Sequence, residues 1–446
     1  MELVFGTDGV RGIANIELTA ELVLSLGRAA GSVIGEGSAP PRVVVGTDTR
    51  ISSDMLEAAL CAGLQSAGAN VLRCGVMPTP AVAALVLLLK ADAGAVVSAS
   101  HNPAEYNGIK FFSREGYKLP DEVEERIEHC VDGRGITMKL TGPITGRSET
   151  VLDSADRYLD HTIRTAPVDL AGVKLVVDCA NGAAVRVAPD LFRRLNAEVI
   201  VINAQPDGLN INRGCGALHP EMMQHAVLEH GAFAGMSFDG DADRVLMADE
   251  KGKLLDGDRM MLLAARQLKA EDRLDNNLVV GTVMSNMGFE IALRGVGITL
   301  ARAPVGDRYV LEEMKKRGAV LGGEQSGHVI FLNHTTTGDG LVTALQTLAI
   351  ASSQGSPLSS LTSDMVEFPQ LLQNVRVSGR DRWRASAPFM EAVERSEARL
   401  GAEGRVLIRP SGTEPLLRVM VEGPDARLVR EIVDELTALA HRYLGD

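Results

Sequence analysis

Four times along the chain, an apolar segment that suits a buried β-strand runs directly into a short polar loop. These loops are Ser98–Asn102, Asp239–Arg244, Gly322–His328 and Arg409–Glu414. In open α/β sheets, ligands bind at the carboxyl ends of the strands. The pattern therefore predicts that the four loops converge on one large interdomain cleft.

Short β-rich runs alternate with segments of helical periodicity through most of the chain, which predicts an α/β fold with largely parallel strand pairing. After about residue 366 the order changes to strand, helix, two close strands and a final helix, which predicts a smaller α+β domain. A chain of 446 residues exceeds what one hydrophobic core usually supports. Length alone suggests about three domains. Breaks near residues 142–149, 249–252 and 357–368 divide the chain into four, which we predict at residues 1–150, 151–252, 253–366 and 367–446.

Composition excludes several classes of partner. The formal net charge of −13 argues against binding to nucleic acid. No apolar run approaches the roughly 18 residues of a membrane span, and the N-terminus lacks the features of a secretory signal. We therefore expect a cytoplasmic protein that binds no membrane, in which any anionic substrate is captured by local positive groups.

Ser100 and Lys110 suggest nucleophilic catalysis. The Ser100 hydroxyl lies at the end of a predicted buried strand, and the Lys110 amine follows shortly after it. A hydroxyl with a nearby group that moves its proton is suited to acyl or phosphoryl transfer. If the segment is extended, Ser100 and His101 point to opposite sides, which argues against a simple Ser–His pair.

A second loop offers ligands for a metal ion. Asp239, Asp241 and Asp243 alternate in a tight turn between two apolar segments. Carboxylates crowded in this way repel one another unless a cation joins them, and hard oxygen ligands favour Mg²⁺ or Ca²⁺. An EF-hand is excluded, because its obligatory turn glycine would fall at Arg244. A phosphatase loop in which an aspartate is the nucleophile remains an alternative.

Two further loops suit a sugar phosphate. The segment Arg409–Pro415, with Arg418 beyond it, offers guanidinium groups, hydroxyls and a glycine, all of which favour a phosphate dianion. The segments Phe5–Gly12 and Gly46–Arg50 contain similar residue types. Gly323–His328 combines donors and acceptors of the kind that sugar hydroxyls require. A Walker A motif and a dinucleotide-binding glycine motif are both missing from the sequence, which disfavours an NTPase or a dinucleotide enzyme.

Taken together, these motifs resemble the signatures of the α-D-phosphohexomutases, in the same order and across essentially the whole chain. The matching segments are Ser98–Pro103, Asp239–Arg244, Gly323–His328 and Arg409–Pro415. Three further segments resemble the bacterial branch that acts on glucosamine phosphates: Phe5–Gly12, Asp207–Asn212 and Thr335–Gly340. The chain departs slightly from relatives at Thr47, where they often have Arg, and at Ala242, where many have Gly.

The resemblance implies three related α/β domains and a C-terminal α+β domain similar to the TATA-binding-protein fold, arranged around a central cleft. It implies that Ser100 carries a phosphoryl group and that one Mg²⁺ per active site is held by Asp239, Asp241, Asp243 and the seryl phosphate. It also implies catalytic roles for Lys110, as general acid and base, and for His101, Arg244 and Arg11. The implied substrate-binding residues are Glu324, Ser326, His328, Arg409, Ser411, Gly412, Thr413 and Arg418.

The activity implied by the resemblance is an intramolecular phosphotransfer, an isomerase reaction. Glucosamine 6-phosphate and glucosamine 1-phosphate would be interconverted through a sugar 1,6-bisphosphate, and the product would feed synthesis of UDP-N-acetylglucosamine. A phosphoglucomutase/phosphomannomutase activity on the same scaffold is the alternative within the family. Outside it, the alternatives are a sugar-phosphate hydrolase and a sugar-phosphate binding protein. The expected assembly is a monomer or a homodimer.

Overall fold

The computed structural model describes residues 5–6, 9–35, 40–132, 144–378, 380–411 and 415–445. The chain forms two compact units, of which the first comprises Met1–Val283 with Ala301–Thr362. The second comprises Met284–Leu300 with Ser363–Asp446. None of the helices in the described residues combines the length and apolar character needed to span a bilayer.

In the described residues, the first sheet comprises β1 (Val10–Ile13), β2 (Arg42–Thr47), β3 (Asn70–Val76), β4 (Ala93–Val97), β5 (Tyr106–Ser113) and β6 (Ser148–Thr150). Their order across the sheet is β1-β5-β4-β2-β3-β6. The helices of this region are α1 (Ala20–Ile34), α2 (Ile51–Ser66), α3 (Thr79–Leu88) and α4 (Asp121–Val131). Thr19 caps α1 as its position in the sequence suggests, because its hydroxyl accepts the Leu22 N–H at 3.2 Å.

The second sheet comprises β7 (Lys174–Asp178), β8 (Glu198–Ile202), β9 (Ala234–Phe238), β10 (Val245–Ala248) and β11 (Leu254–Leu255). Its order is β11-β10-β9-β7-β8. The helices of this region are α5 (Ser154–Thr165), α6 (Ala188–Arg194) and α7 (Glu221–His230).

The third sheet, of order β13-β12-β14-β15, comprises β12 (Leu278–Thr282), β13 (Thr299–Ala303), β14 (Leu321–Gly323) and β15 (Val329–Phe331). The helices along this part of the chain are α8 (Gly257–Ala270), α9 (Met287–Gly295), α10 (Asp307–Arg317), α11 (Gly340–Gln354) and α12 (Leu358–Leu361). The last sheet, of order β16-β18-β17, belongs to the second unit and comprises β16 (Gln370–Arg376), β17 (Arg405–Pro410) and β18 (Leu416–Glu422). It is accompanied by α13 (Ala387–Leu400) and α14 (Ala426–Leu444).

The α/β class predicted from the sequence is confirmed, whereas the expectation of largely parallel pairing holds for only part of each of the first three sheets. β2 pairs in parallel with β3 and β4, and β7 with β8 and β9. In contrast, β5 is antiparallel to β4, and β10 is antiparallel to β9. The reason is the length of the connections, because a parallel crossover needs about a dozen residues or more. Only residues 98–105 and 239–244 join these two strand pairs.

Two glycines allow α1 and α2 to approach closely. A Cβ atom at Gly27 would lie 2.5 Å from the Leu60 carbonyl oxygen, and one at Gly63 would lie 2.3 Å from the Leu24 carbonyl oxygen. Both distances are well inside van der Waals contact, and the obstructing atoms are backbone. Side-chain atoms at either position would therefore force the two helices apart.

We expect Gly63→Ala to destabilise the protein by about 1–3 kcal/mol, because overpacking outweighs the better helix propensity of alanine. The thermal unfolding midpoint measures this effect. Gly295→Ala, at the last residue of α9, is the matched control, since a Cβ there meets no atom within 4 Å. A Gly63→Ala midpoint equal to or above that of the unmodified protein would contradict the packing argument.

Candidate active site

Ser100 lies in the tight connection between β4 and β5, where the backbone turns sharply. Its φ of 53° is in the left-handed region, which non-glycine residues seldom adopt. The side chain is 1% exposed, and its hydroxyl donates to Asp239 Oδ2 at 2.7 Å. His101 Nδ1 lies 3.4 Å from the same hydroxyl. The expectation that an extended segment separates Ser100 from His101 was therefore wrong, because the left-handed turn brings the two side chains together.

Arg50 anchors this serine loop. Its guanidinium donates to the carbonyl oxygens of Ser100 at 2.9 Å and of Asn102 at 2.8 Å. It also donates to the Pro103 carbonyl oxygen at 2.5 Å and pairs with Asp48 at 2.8 Å. Four of its five N–H groups are thus used by the protein. The sequence placed this segment among the phosphate candidates, but the structure gives Arg50 a positioning role.

Replacing Arg50 tests this role, and Arg50→Lys is the conservative change. A lysine presents one compact donor group and cannot reach four separated acceptors at once. We expect a loss of about 2–4 kcal/mol, because the buried carbonyls and Asp48 lose the guanidinium donors that they share. Chemical denaturation measures the loss. Arg73→Lys is the control, since the Arg73 side chain is 47% exposed where it pairs with Glu57; equal losses in both variants would refute the anchoring role.

The three aspartates form a buried cluster in the connection between β9 and β10. Their carboxylate oxygens lie within 4.8 Å of one another, and all three residues are buried. Burial, together with the charges of the neighbouring aspartates, raises the pKa of Asp239 and of Asp243. In the described residues, Asp243 Oδ1 has no hydrogen-bond partner. Crowded, desolvated oxygen ligands of this kind fit a divalent cation such as Mg²⁺.

Lys110 and Thr79 connect the first sheet to this cluster. Lys110 Nζ lies 2.9 Å from Asp241 Oδ2 and 3.8 Å from Asp243 Oδ2. The Thr79 hydroxyl donates to the same Asp241 oxygen at 2.6 Å, and its N–H donates to the Asp241 carbonyl oxygen at 2.9 Å. The sequence analysis predicted Lys110 but missed Thr79. Its signal was weak: Thr79 begins α3, directly after the carboxyl end of β3, a strand of the same sheet as β4.

Positive charge surrounds His101. Burial, and to a smaller extent the charges of Arg244 and Arg11, together lower the pKa of His101 to about 4. His101 is therefore neutral near pH 7. Burial alone would lower the pKa of Arg244, but the carboxylates of Asp243 and Asp239 more than offset this and raise it. The structure thus places Arg11 and Arg244 within electrostatic reach of His101.

Residues 324–328, called here the sugar loop, connect β14 to β15. They lie next to residues 239–244, called here the metal loop. Glu324 Oε1 accepts the Gly306 N–H at 2.9 Å, and the exposed Ser326 donates to Glu324 Oε2 at 3.4 Å. His328 is 1% exposed, and its Nε2 lies 4.0 Å from Asp243 Oδ2. A backbone hydrogen bond of 3.2 Å from Val245 to Gly327 joins this loop to β10. The two loops predicted to bind sugar and metal are therefore neighbours.

The predicted phosphate residues belong to the second unit. Arg409 on β17 is the direct antiparallel partner of Arg418 on β18. Burial and the charge of Arg418 lower the pKa of Arg409. In the described residues, neither Nε atom has a hydrogen-bond partner. Ser411 is buried beside them, whereas Gly412 and Thr413 lie outside the described residues. Two adjacent guanidinium groups with free donors favour an anion between them.

Family models match consecutive parts of the chain, and each is described as phosphoglucomutase/phosphomannomutase. The matches are to alpha/beta/alpha domain I at residues 2–135, domain II at 156–252, domain III at 256–368 and the C-terminal domain at 372–439.

Individual relatives extend over the same length. A phosphoglucosamine mutase of Carboxydothermus hydrogenoformans is 54% identical over 443 residues, covering 99% of this chain and 100% of the relative. One from Thermoanaerobacter sp. is 52% identical over 450 residues and covers 100% of both chains. A crystal structure of a phosphoglucomutase/phosphomannomutase family protein from Burkholderia thailandensis superposes with a TM-score of 0.83 at 27% identity, over 98% of this chain and 97% of that one. These matches confirm the resemblance on which the sequence-based expectations rest.

Proposed function

Because the chain belongs to the phosphoglucomutase/phosphomannomutase family, we propose that it interconverts glucosamine 6-phosphate and glucosamine 1-phosphate. Membership makes the protein a phosphohexomutase, an isomerase by reaction class. The observation that carries the chemistry is the buried Ser100 hydroxyl, which contacts a cluster of three carboxylates at 2.7 Å. The choice of an amino sugar is supported by the full-length relatives named phosphoglucosamine mutase.

Ser100 is the phosphoryl carrier in this proposal. Phosphorylated Ser100 donates its phosphoryl group to the free hydroxyl of the bound sugar phosphate. The bond between Ser100 Oγ and phosphorus breaks while a sugar oxygen–phosphorus bond forms, giving a 1,6-bisphosphate. After the bisphosphate turns round, the other phosphate returns to Ser100 and the isomeric product is released. Such a transfer depends mainly on positioning and charge neutralisation.

Lys110 is the general acid and base for the proton of the attacking sugar hydroxyl. It contacts the same carboxylate cluster as Ser100, through Asp241 at 2.9 Å. In its neutral form it accepts the proton of the attacking sugar hydroxyl and passes that proton to Ser100 Oγ as this oxygen leaves phosphorus. The phosphoryl group on Ser100 is also surrounded by Arg11, Arg244 and the neutral His101. The two guanidinium groups stabilise the negative charge of the phosphoryl oxygens.

Asp239, Asp241 and Asp243 fit one Mg²⁺, with the seryl phosphate as a further ligand, and the ion would neutralise charge on the transferring group. Glu324, Ser326 and His328 orient the sugar. Arg409, Ser411 and Arg418, with Gly412 and Thr413, hold the phosphate that is not reacting.

We expect Ser100→Ala to abolish turnover, because the chain then has no oxygen to carry the phosphoryl group. Intact-protein mass spectrometry after incubation with glucose 1,6-bisphosphate should show a phosphorylated unmodified protein and an unphosphorylated variant. Ser113→Ala is the matched control, since Ser113 lies at the far end of β5 and its hydroxyl contacts Glu115 rather than Asp239. Near-normal turnover of Ser100→Ala would refute the carrier role.

We expect Asp241→Asn to raise the Mg²⁺ concentration for half-maximal activity by about tenfold or more, as losses at metal sites commonly do. The change removes a charge while preserving size. Asp249→Asn is the control, because Asp249 is also buried, follows β10, and accepts backbone N–H groups that an asparagine oxygen still satisfies. Identical metal titrations for Asp241→Asn and the unmodified protein would contradict the metal assignment.

Substrate choice separates the remaining alternatives. Turnover of glucosamine, glucose and mannose phosphates compared under identical conditions distinguishes the proposed activity from a phosphoglucomutase/phosphomannomutase. Release of inorganic phosphate in step with substrate loss would instead indicate a hydrolase. Binding of the sugar phosphate without isomerisation would indicate a binding protein.

A further inference from the structure

A chain of charged and polar groups runs from the metal loop to a second lysine outside the site described above. Lys110 Nζ lies 3.8 Å from Asp243 Oδ2, which lies 4.0 Å from His328 Nε2. The same His328 nitrogen lies 3.9 Å from Asp307 Oδ2, and that oxygen pairs with Lys118 Nζ at 2.5 Å. Both lysines belong to one stretch of chain, β5 and the segment that follows it. The series of contacts therefore begins at Lys110 on β5, continues through Asp243, His328 and Asp307, and ends at Lys118, just after β5.

The position of Asp307 affects the position of the sugar loop. It is the first residue of α10, and the preceding Gly306 donates its N–H to Glu324 Oε1 at 2.9 Å. The start of α10 thus lies against both Glu324 and His328. Lys118 ties this helix end to the segment after β5, and the two side chains of the pair are each 19% exposed.

The surrounding contacts bridge the rim of a cavity. Thr336 donates to the Gly116 carbonyl oxygen at 2.6 Å, Lys315 Nζ lies 3.3 Å from the centre of the Tyr117 ring, and Arg308 pairs with Asp121. Between them is a cavity of about 270 Å³ whose lining includes Lys118, Asp307 and His328. Because the cavity interrupts the packing here, individual polar contacts determine how residues 116–121 lie relative to α10 and Thr336.

His328 depends on such contacts. In the described residues, neither of its ring nitrogens has a hydrogen-bond partner. The ring is confined on one side by Gly338, where a Cβ would approach it to 2.4 Å. The carboxylates of Asp243 and Asp307 lie 4.0 Å and 3.9 Å from its Nε2 atom. A displacement of Asp307 would therefore change the position of the His328 ring relative to the metal loop.

We propose that Lys118 and Asp307 are positioning residues for the phosphoryl-transfer site. Their ion pair fixes the start of α10, and α10 in turn keeps His328 and Glu324 in place beside the metal loop. The inference rests on the proposed function, in which His328 and Glu324 contact the sugar. Neither residue of the pair touches substrate in this account. Misplacement of reacting groups by about an ångström is enough to cost a large factor in rate.

The test compares Lys118→Met with Lys118→Arg, and uses Lys315→Met as the matched control. Lys315 belongs to the same rim but lies outside the chain of groups that reaches His328. We expect Lys118→Met to lower kcat by about tenfold or more, with a much smaller change in KM. Lys118→Arg should recover most of the rate because it keeps the charge, and Lys315→Met should leave kcat unchanged. Asp307→Asn should lower kcat similarly, and Lys118→Met combined with Asp307→Asn should cost no more than either change alone.

A second readout does not depend on activity. In ¹⁵N-histidine-labelled protein at one fixed pH, the imidazole signals of His328, assigned with His328→Gln, should shift in Lys118→Met and stay in place in Lys315→Met. Unchanged His328 signals, or a kcat for Lys118→Met equal to that of the unmodified protein, would overturn the inference. An equal loss of kcat in Lys118→Met and Lys315→Met would also overturn the inference. Failure of the proposed function looks different: the unmodified protein would not isomerise glucosamine phosphates, while the histidine signals would still report on the pair.

Discussion

The carboxylates of Asp239, Asp241 and Asp243 lie close together in an interior where a single unpaired charge is already costly. Their mutual repulsion and their burial raise the pKa of Asp239 and Asp243. The groups that relieve this repulsion come from other elements, since Lys110 lies on β5 and Thr79 begins α3. The cluster therefore requires the first and second sheets to meet at their loop ends, and it places Ser100 beside it.

The two loops at this meeting point share a structural reason for being short. Each connects a strand of the parallel core to an antiparallel neighbour, so the chain reverses directly without a crossover helix. Both loops contain a non-glycine residue with a left-handed backbone: Ser100 at φ 53° and Ala242 at φ 55°. The second value marks Ala242 as a position where glycine would adopt the same angle without steric cost. Arg50 and Asn212, which both donate to the Ser100 carbonyl oxygen at 2.9 Å, hold the first loop in this shape.

The second unit contributes a different kind of electrostatic arrangement. The antiparallel register of β17 and β18 places Arg409 opposite Arg418, so two positive charges face each other across adjacent strands. Like charges opposite each other destabilise a sheet. The chain keeps this arrangement beside a buried Ser411, which is understandable if an anion compensates for the repulsion. In a protein of net charge −13, the phosphate binding that we propose depends on such a local pair of arginines.

The candidate residues for the chemistry could be proposed from the sequence, because Ser100, the three aspartates and the arginines stand in short local motifs whose residue types limit what they can bind. The alternation of strands and helices can also be read from the sequence. Only the tertiary structure decided that Ser100 and His101 are in contact, that Thr79 supports Asp241, that Arg50 anchors a loop, and that Lys118 reaches Asp307. The first of these depends on one left-handed backbone angle. The others join residues that are distant along the chain, and such contacts are set by how the sheets pack, which no local pattern of residues encodes.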